Sequence, residues 1–215
     1  MNSSLLGSSA APWHIILLIT ALSLLPAVIM SVTPFVRLLV VFHFLRQALG
    51  TQTSPSNQIL IGLALFLSWF VMQPVLGTIY AQAILPLSQE KITIEEALAR
   101  TAEPMRTFML RYAREKDLAL FLQSAGVPRP SSEKDIPVRV VIPAYILSEL
   151  HAGFQIGAAL FIPFAVIDLA VAFLTTSVGL MQLPPIVLST PLKIFLFVAV
   201  DGWNLLVSSL LRGLH

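Results

Sequence analysis

Cysteine is absent from the 215-residue chain. That removes disulfides, thiolate metal sites and a cysteine nucleophile, and it suits an oxidising compartment for any exposed segment. Charge is scarce. Asp, Glu, Lys and Arg make up 11% of residues and hydrophobic residues 56%, a shift away from soluble domains and toward membrane proteins. The net charge is only +2 and no basic run occurs, so the footprint of a nucleic-acid binder is missing. Histidines 14, 43, 151 and 215 are scattered, with no pair at metal-ligand spacing. There is no GxSxG, no phosphate-binding glycine loop and no HExxH. Ser148 precedes Glu149, but a serine beside a carboxylate on a helix is no catalytic signature. These absences argue against an enzyme, and no cofactor or metal is expected. The opening segment "MNSSLLGSSAAPWH" has no basic region before its first apolar run and makes a poor secretory leader. Insertion through the first helix and prior removal of a leader both stay open.

What is present is an uneven charge map. Of 13 basic and 11 acidic residues, all but seven lie between Glu90 and Arg139. Two apolar parts, 1–81 and 141–215, therefore flank a charged insert at 82–140. The first apolar run, Trp13 to Val32, is near the ~20 residues a spanning helix needs. Trp13 sits where an interfacial aromatic would, and Pro26 predicts a kink. Phe35 to Leu49 reads as an amphipathic helix carrying Arg37 and Arg46, with Gly50 as its C-terminal cap. A polar turn, "TQTSPSNQ", leads into the second long run, Ile59 to Tyr80.

In the insert, Thr93 with Glu96 predicts a capping box, and Pro104 predicts a break or restart. From Pro104 to Ala125, the residues Phe108, Tyr112, Ala119 and Leu122 fall on one helical stripe, which Gly126 and Pro128 end. "VPRPSSEKDIP" reads as an exposed linker. A helical hairpin can be drawn from Pro143 to Ser177, with Pro163 as its breaking point. "GLMQLPP" is then a turn, and Ile186 to Leu211 the last helix.

The fold class is all-α, and hydropathy alone draws four spans. Arg37 and Arg46 have no acidic neighbours between the first two long segments, which favours a cytoplasmic side there. The insert and both ends then face outside. The apolar final third keeps Glu149, Asp168, Lys193 and Asp201. An ionised side chain at the bilayer centre costs at least ~3 kcal/mol. These four point to burial in protein–protein pairs or to a water-filled path.

Four strings carry a resemblance. They are "SVTPFVRLLVVFHFLRQALGTQTSPSNQILIGLALFL", "RYAREKDLALFL", "IPAYILSELHAGFQIGAALFIPFAVIDLAVAFL" and "LPPIVLSTPLKIFLFVAVDGWNLL". In this order they resemble the FliP family, called SctR in virulence systems, a membrane component of the type III secretion export gate. "ALGTQ" followed by "IGLALFL" is more similar to the flagellar branch than to the injectisome branch. The resemblance implies membrane-associated helical hairpins around a mostly helical periplasmic insert. It implies a homopentamer that joins FliQ-type and FliR-type subunits in a closed helical pore. Further implied partners are FlhB- and FlhA-type export components, membrane lipid and unfolded exported proteins, at the inner membrane under the flagellar basal body. The rival functions are an injectisome gate subunit, a small-ion or proton channel, and a non-conducting membrane scaffold.

The resemblance also implies site residues. A methionine-rich pore gasket lies in the family at the "GLMQLPP" turn, residues 179–185. Gly179, Leu183, Pro184 and Pro185 match its pattern, and the gasket positions fall on Leu180, Met181 and Gln182. Methionine suits a deformable seal, and here only Met181 supplies one. Glu149 matches the family's SEL motif and is expected in an ion pair within or between subunits, with Lys193 the preferred partner. Asp168 and Asp201 are candidates for a proton relay or, preferably, for hydrogen-bond acceptors at a helix junction. Gly202 and Trp203 suggest close backbone approach beside a large packing residue. Gly153 and Gly157 form a small-xxx-small pair for close helix packing. Arg37 and Arg46 are open between subunit contacts and topology markers. His43 is read as a satisfied interface histidine.

Overall fold

The computed structural model describes residues 12–128, 132, 135–179 and 182–214, and among these the regular structure is helical throughout. Nothing is described of the Trp13 side chain, and Leu180 and Met181 lie outside the described residues. The helices are α1 (Pro12–Ser31), α2 (Phe35–Ala48), α3 (Asn57–Ile79), α4 (Leu85–Ser88), α5 (Ile94–Tyr112), α6 (Glu115–Ser124), α7 (Val138–Ser177), α8 (Ile186–Ala199) and α9 (Gly202–Arg212).

Helix α7 is the spine. Its 40 residues extend about 60 Å at 1.5 Å each, roughly twice a bilayer's hydrocarbon thickness. The expected hairpin from Pro143 to Ser177 is therefore corrected to one helix running through both Pro143 and Pro163. No residue within this stretch has a left-handed backbone that would reverse the chain.

Helix α2 lies along α7 and forms the centre of the core. Leu38, Val41, Phe42, Leu45 and Ala48 recur at helical spacing on one stripe, and all are fully or almost fully buried. They pack with Leu60 and Ala64 of α3 and with Val140, Val141 and Tyr145 of α7. Each buried Leu, Val or Phe among them contributes about 1.5–3 kcal/mol where the alternative is water, and less where it is lipid. The close approach is made at two glycines of α7. A Cβ at Gly153 would sit 3.0 Å from the Val40 Cβ, and one at Gly157 would enter the Phe44 ring. Gly50 ends α2 with φ +76°, a left-handed value that favours glycine.

The insert departs from expectation in three places. First, the apolar helix does not stop at Tyr80. A π-helical turn, Tyr80–Ile84, carries it on to Ser88. Pro86 offers no N–H to the turn before it, and the Gln82 carbonyl accepts from Arg100 Nη1 at 3.3 Å instead. Second, α5 starts at the Thr93–Glu96 capping box, with both reciprocal bonds at 3.3 Å, but it passes unbroken through Pro104. The carbonyl that Pro104 leaves without a donor belongs to exposed Arg100. Third, the Phe108–Leu122 stripe is split between two helices. Ala113 and Arg114 are extended, and α6 begins at Glu115. Of the linker after it, Ile136 is buried rather than exposed.

The last apolar segment is also two helices. α8 and α9 meet at 65°, and Asp201 at the joint has φ +52°. Helix α1 continues through Pro26, and the break before α2 falls at 32–34. Among the described residues two helices, Asn57–Ser88 and Val138–Ser177, are long and apolar enough to cross a membrane, or up to four spans if each bent pair counts as one.

Candidate functional site

Three polar clusters lie against α7, and between them they bring together most of the charges expected to be functional. At the insert end, the one hydroxyl proton of Ser148 is shared between Asp117 Oδ2 at 2.6 Å and the Ala144 carbonyl at 2.8 Å, and the oxygen accepts from the Arg114 backbone N–H at 2.9 Å. Arg114 grips Asp117 through Nε and Nη2 at 2.7 and 3.0 Å. This set of bonds explains the break between α5 and α6: an extended Arg114 frees its N–H for Ser148. Burial alone would raise the Asp117 pKa, but hydrogen bonds from Arg114 and Ser148, with the Arg114 and Lys116 charges, hold it below the usual carboxylate range. Arg114, Asp117 and Ser148 are absent from the sequence-derived candidates, although the i,i+3 spacing of Arg114 and Asp117 was a visible signal.

At the centre, Arg37 Nη2 meets Glu149 Oε1 at 2.5 Å, with Glu149 fully buried. Arg37 Nη1 also donates to the Gly213 carbonyl at 3.4 Å, and its guanidinium lies 5.5 Å from the Tyr112 ring centre. Tyr112 in turn donates its hydroxyl to the Leu214 carbonyl at 2.7 Å. The expected Glu149–Lys193 pair is thus replaced by Glu149–Arg37, and Arg37 is an internal partner rather than a free topology marker. The physical reason is reach: α2 lies directly on α7 at this level, whereas α8 meets α7 farther along.

There, Lys193 Nζ donates to Asp168 Oδ2 at 2.5 Å and to the Ala48 carbonyl at 3.0 Å. The ammonium sits at the C-terminal end of α2, where the helix dipole favours a cation. Lys193 is buried, while the Asp168 side chain is 42% exposed. Among the described residues Asp201 joins no ion pair. It is exposed in the single chain and occupies the α8–α9 junction. Next to it, a Cβ on Gly202 would run into the Phe197 ring, and Trp203 meets that ring edge-on at 5.5 Å.

Arg46 stays on the outer side of α2, donating to Asn57 Oδ1 at 2.6 Å and lying 3.0 Å from His43 Nδ1. Before Lys193 in the chain, residues 182–188 are all exposed, Gln182 and Leu183 among them. Among the described residues, no three His, Cys, Asp or Glu side chains are grouped to hold a metal.

Apolar helices of spanning length, with buried charges consumed in internal pairs, define a membrane-embedded helical subunit rather than a soluble receptor. The FliP family profile matches residues 18–210. The chain is 49% identical to the flagellar biosynthetic protein FliP of Pectobacterium carotovorum subsp. carotovorum, over 93% of this chain and 78% of that one. It is 47% identical to flagellar biosynthetic protein FliP of Bacillus subtilis (strain 168), over 93% and 90%. With the protein of that name from Aquifex aeolicus (strain VF5) it shares 42%, over 93% and 84%. The chain belongs to the FliP family.

Proposed function

We propose that this protein is a core subunit of the flagellar type III export gate in the inner membrane. It would form, with further copies of itself and with FliQ- and FliR-type subunits, the path by which unfolded flagellar proteins leave the cytoplasm. The observation that carries this is the match of nearly the whole chain to proteins named for flagellar biosynthesis. The geometry supports it. Glu149, Lys193 and Arg37 are neutralised inside the chain. Large apolar side chains such as Phe66, Trp69, Leu169, Phe173 and Phe195 are left on the outside, each at least 63% exposed. Such surface suits lipid or neighbouring helices. In this reading the insert is periplasmic, and FlhB- and FlhA-type components supply specificity and energy.

Leu180, Met181 and Gln182 form the seal in this proposal. Replacing Leu180, Met181 and Gln182 together by glycine is expected to raise ion leak and impair motility, while the complex still assembles. Unchanged leak and export would remove the seal from the proposal. The small-channel rival loses support, because Asp168 and Glu149 are each committed to a cation. It would regain it if Asp168→Asn abolished a proton flux without loosening the fold. Deletion distinguishes the branches: loss of motility favours the flagellar gate, and loss of effector secretion the injectisome.

A further inference from the structure

Helices α8 and α9 touch α2 at both of its ends. Near one end, Lys193 of α8 donates to the carbonyl of Ala48, the last residue of α2. Just beyond it, Gly50 packs against Thr190, where an added Cβ would meet the Thr190 hydroxyl at 2.7 Å. Near the other end, the Gly213 carbonyl after α9 accepts from Arg37 in the first turn of α2. Arg37 and Ala48 are eleven residues apart, about 16 Å along the helix. The joint between α8 and α9 is filled. The Phe197 ring occupies the space a side chain at Gly202 would need, and Trp203 closes the other edge. Leu206, Leu210 and Leu214 then hold α9 and its end in the core. Finally, the Leu214 carbonyl accepts from Tyr112, which ties the far end to the insert helix α5.

We propose that α8 and α9 form a stiff bracket around α2, which couples the first half of α8, residues 186–193, to the charged insert. A displacement of the start of α8 pulls on Lys193. The filled elbow passes it to Gly213 and Leu214, and from there it reaches Arg37, Tyr112 and the end of α5. Energetic coupling of this kind needs contiguous packed elements rather than a flexible joint. The sequence of contacts provides them without a break from Lys193 to Tyr112. The inference does not rest on the export reading, since coupling is a property of the folded chain whatever passes through the assembly.

Amide hydrogen exchange on the full chain, in its purified membrane complex, tests it. Tyr112→Phe removes one oxygen from the insert end. It should speed exchange several-fold at residues 186–193, although Tyr112 touches none of them, while α6, anchored independently through Ser148, stays unchanged. Lys193→Met should do the reverse, speeding exchange at residues 205–214 and at the end of α5. Two glycines inserted between Val200 and Asp201 should abolish the remote effect of Tyr112→Phe on α8. Faster exchange confined to the mutated end would overturn the proposal, as would a uniform rise across the chain or a remote effect that survives the glycine insertion. If Lys193→Met does not fold, the Tyr112→Phe arm with and without the insertion decides alone.

Discussion

A buried arginine and a buried glutamate dominate this protein at the scale of single residues. Desolvating the Arg37–Glu149 pair is costly, and breaking it by removing one partner typically costs about 3–5 kcal/mol, because the other charge stays buried and uncompensated. Glu149→Gln and Arg37→Met should therefore each lower the thermal midpoint of the detergent-solubilised protein sharply. The double variant should lose less than the sum, and additive losses would show that the pair does not act as a unit. Asp168→Asn should be milder, since its side chain is partly exposed and screened. Asp117 gives a pH dependence of definite sign. Its folded pKa lies below the ordinary value, about 3.9 in the unfolded chain. Its stabilisation is thus complete above that value and is lost as pH falls through the lower folded one. Exchange protection of α6, corrected for intrinsic rates, should drop in that acid window, and the drop should vanish in Asp117→Asn.

Between helices, small residues set the distances. Gly157 faces the Phe44 ring so closely that an added methyl has no space. Overfilling a packed core costs typically 1–3 kcal/mol, so Gly157→Ala should destabilise the α2–α7 contact by about that much. Gly62, which has nothing within 4 Å of an added Cβ, is the control, and Gly62→Ala should be neutral or slightly stabilising. Equal losses in thermal unfolding at both positions would refute the packing account. Gly153 and Gly157 could be picked from their spacing, but not their partners, because the pattern names one helix face and no neighbour. Element boundaries show the opposite imbalance. The Thr93–Glu96 cap and the Gly50 stop are local chemistry and lie where the residues place them. Pro104, Pro143 and Pro163 do not break their helices, because a missing N–H can be tolerated where water or packed neighbours support the freed carbonyl. Of the breaks at Arg114 and Asp201, the first is tied to a distant group and the second to packing across its own joint. Ser148 takes the Arg114 N–H, and Phe197 fills the space over Gly202.

For the whole molecule, the outward apolar surface and the inward charges lead to one expectation. Co-expressed with FliQ- and FliR-type subunits and extracted in detergent, the protein should run as a discrete multimer containing several copies of this chain. A monodisperse monomer indifferent to those partners would count against the export-gate proposal and favour the scaffold or small-channel alternatives. What the sequence determined by itself was set by composition and near-neighbour chemistry: an all-helical membrane chain, a charged insert between apolar parts, its caps, and its membership of a family. Which charge meets which was decided only by tertiary structure. Glu149 lies 112 residues from Arg37, and Lys193 lies 145 from Ala48. Periodicity says that such groups must be buried or paired, but the partner depends on where α2 and α8 come to rest along α7.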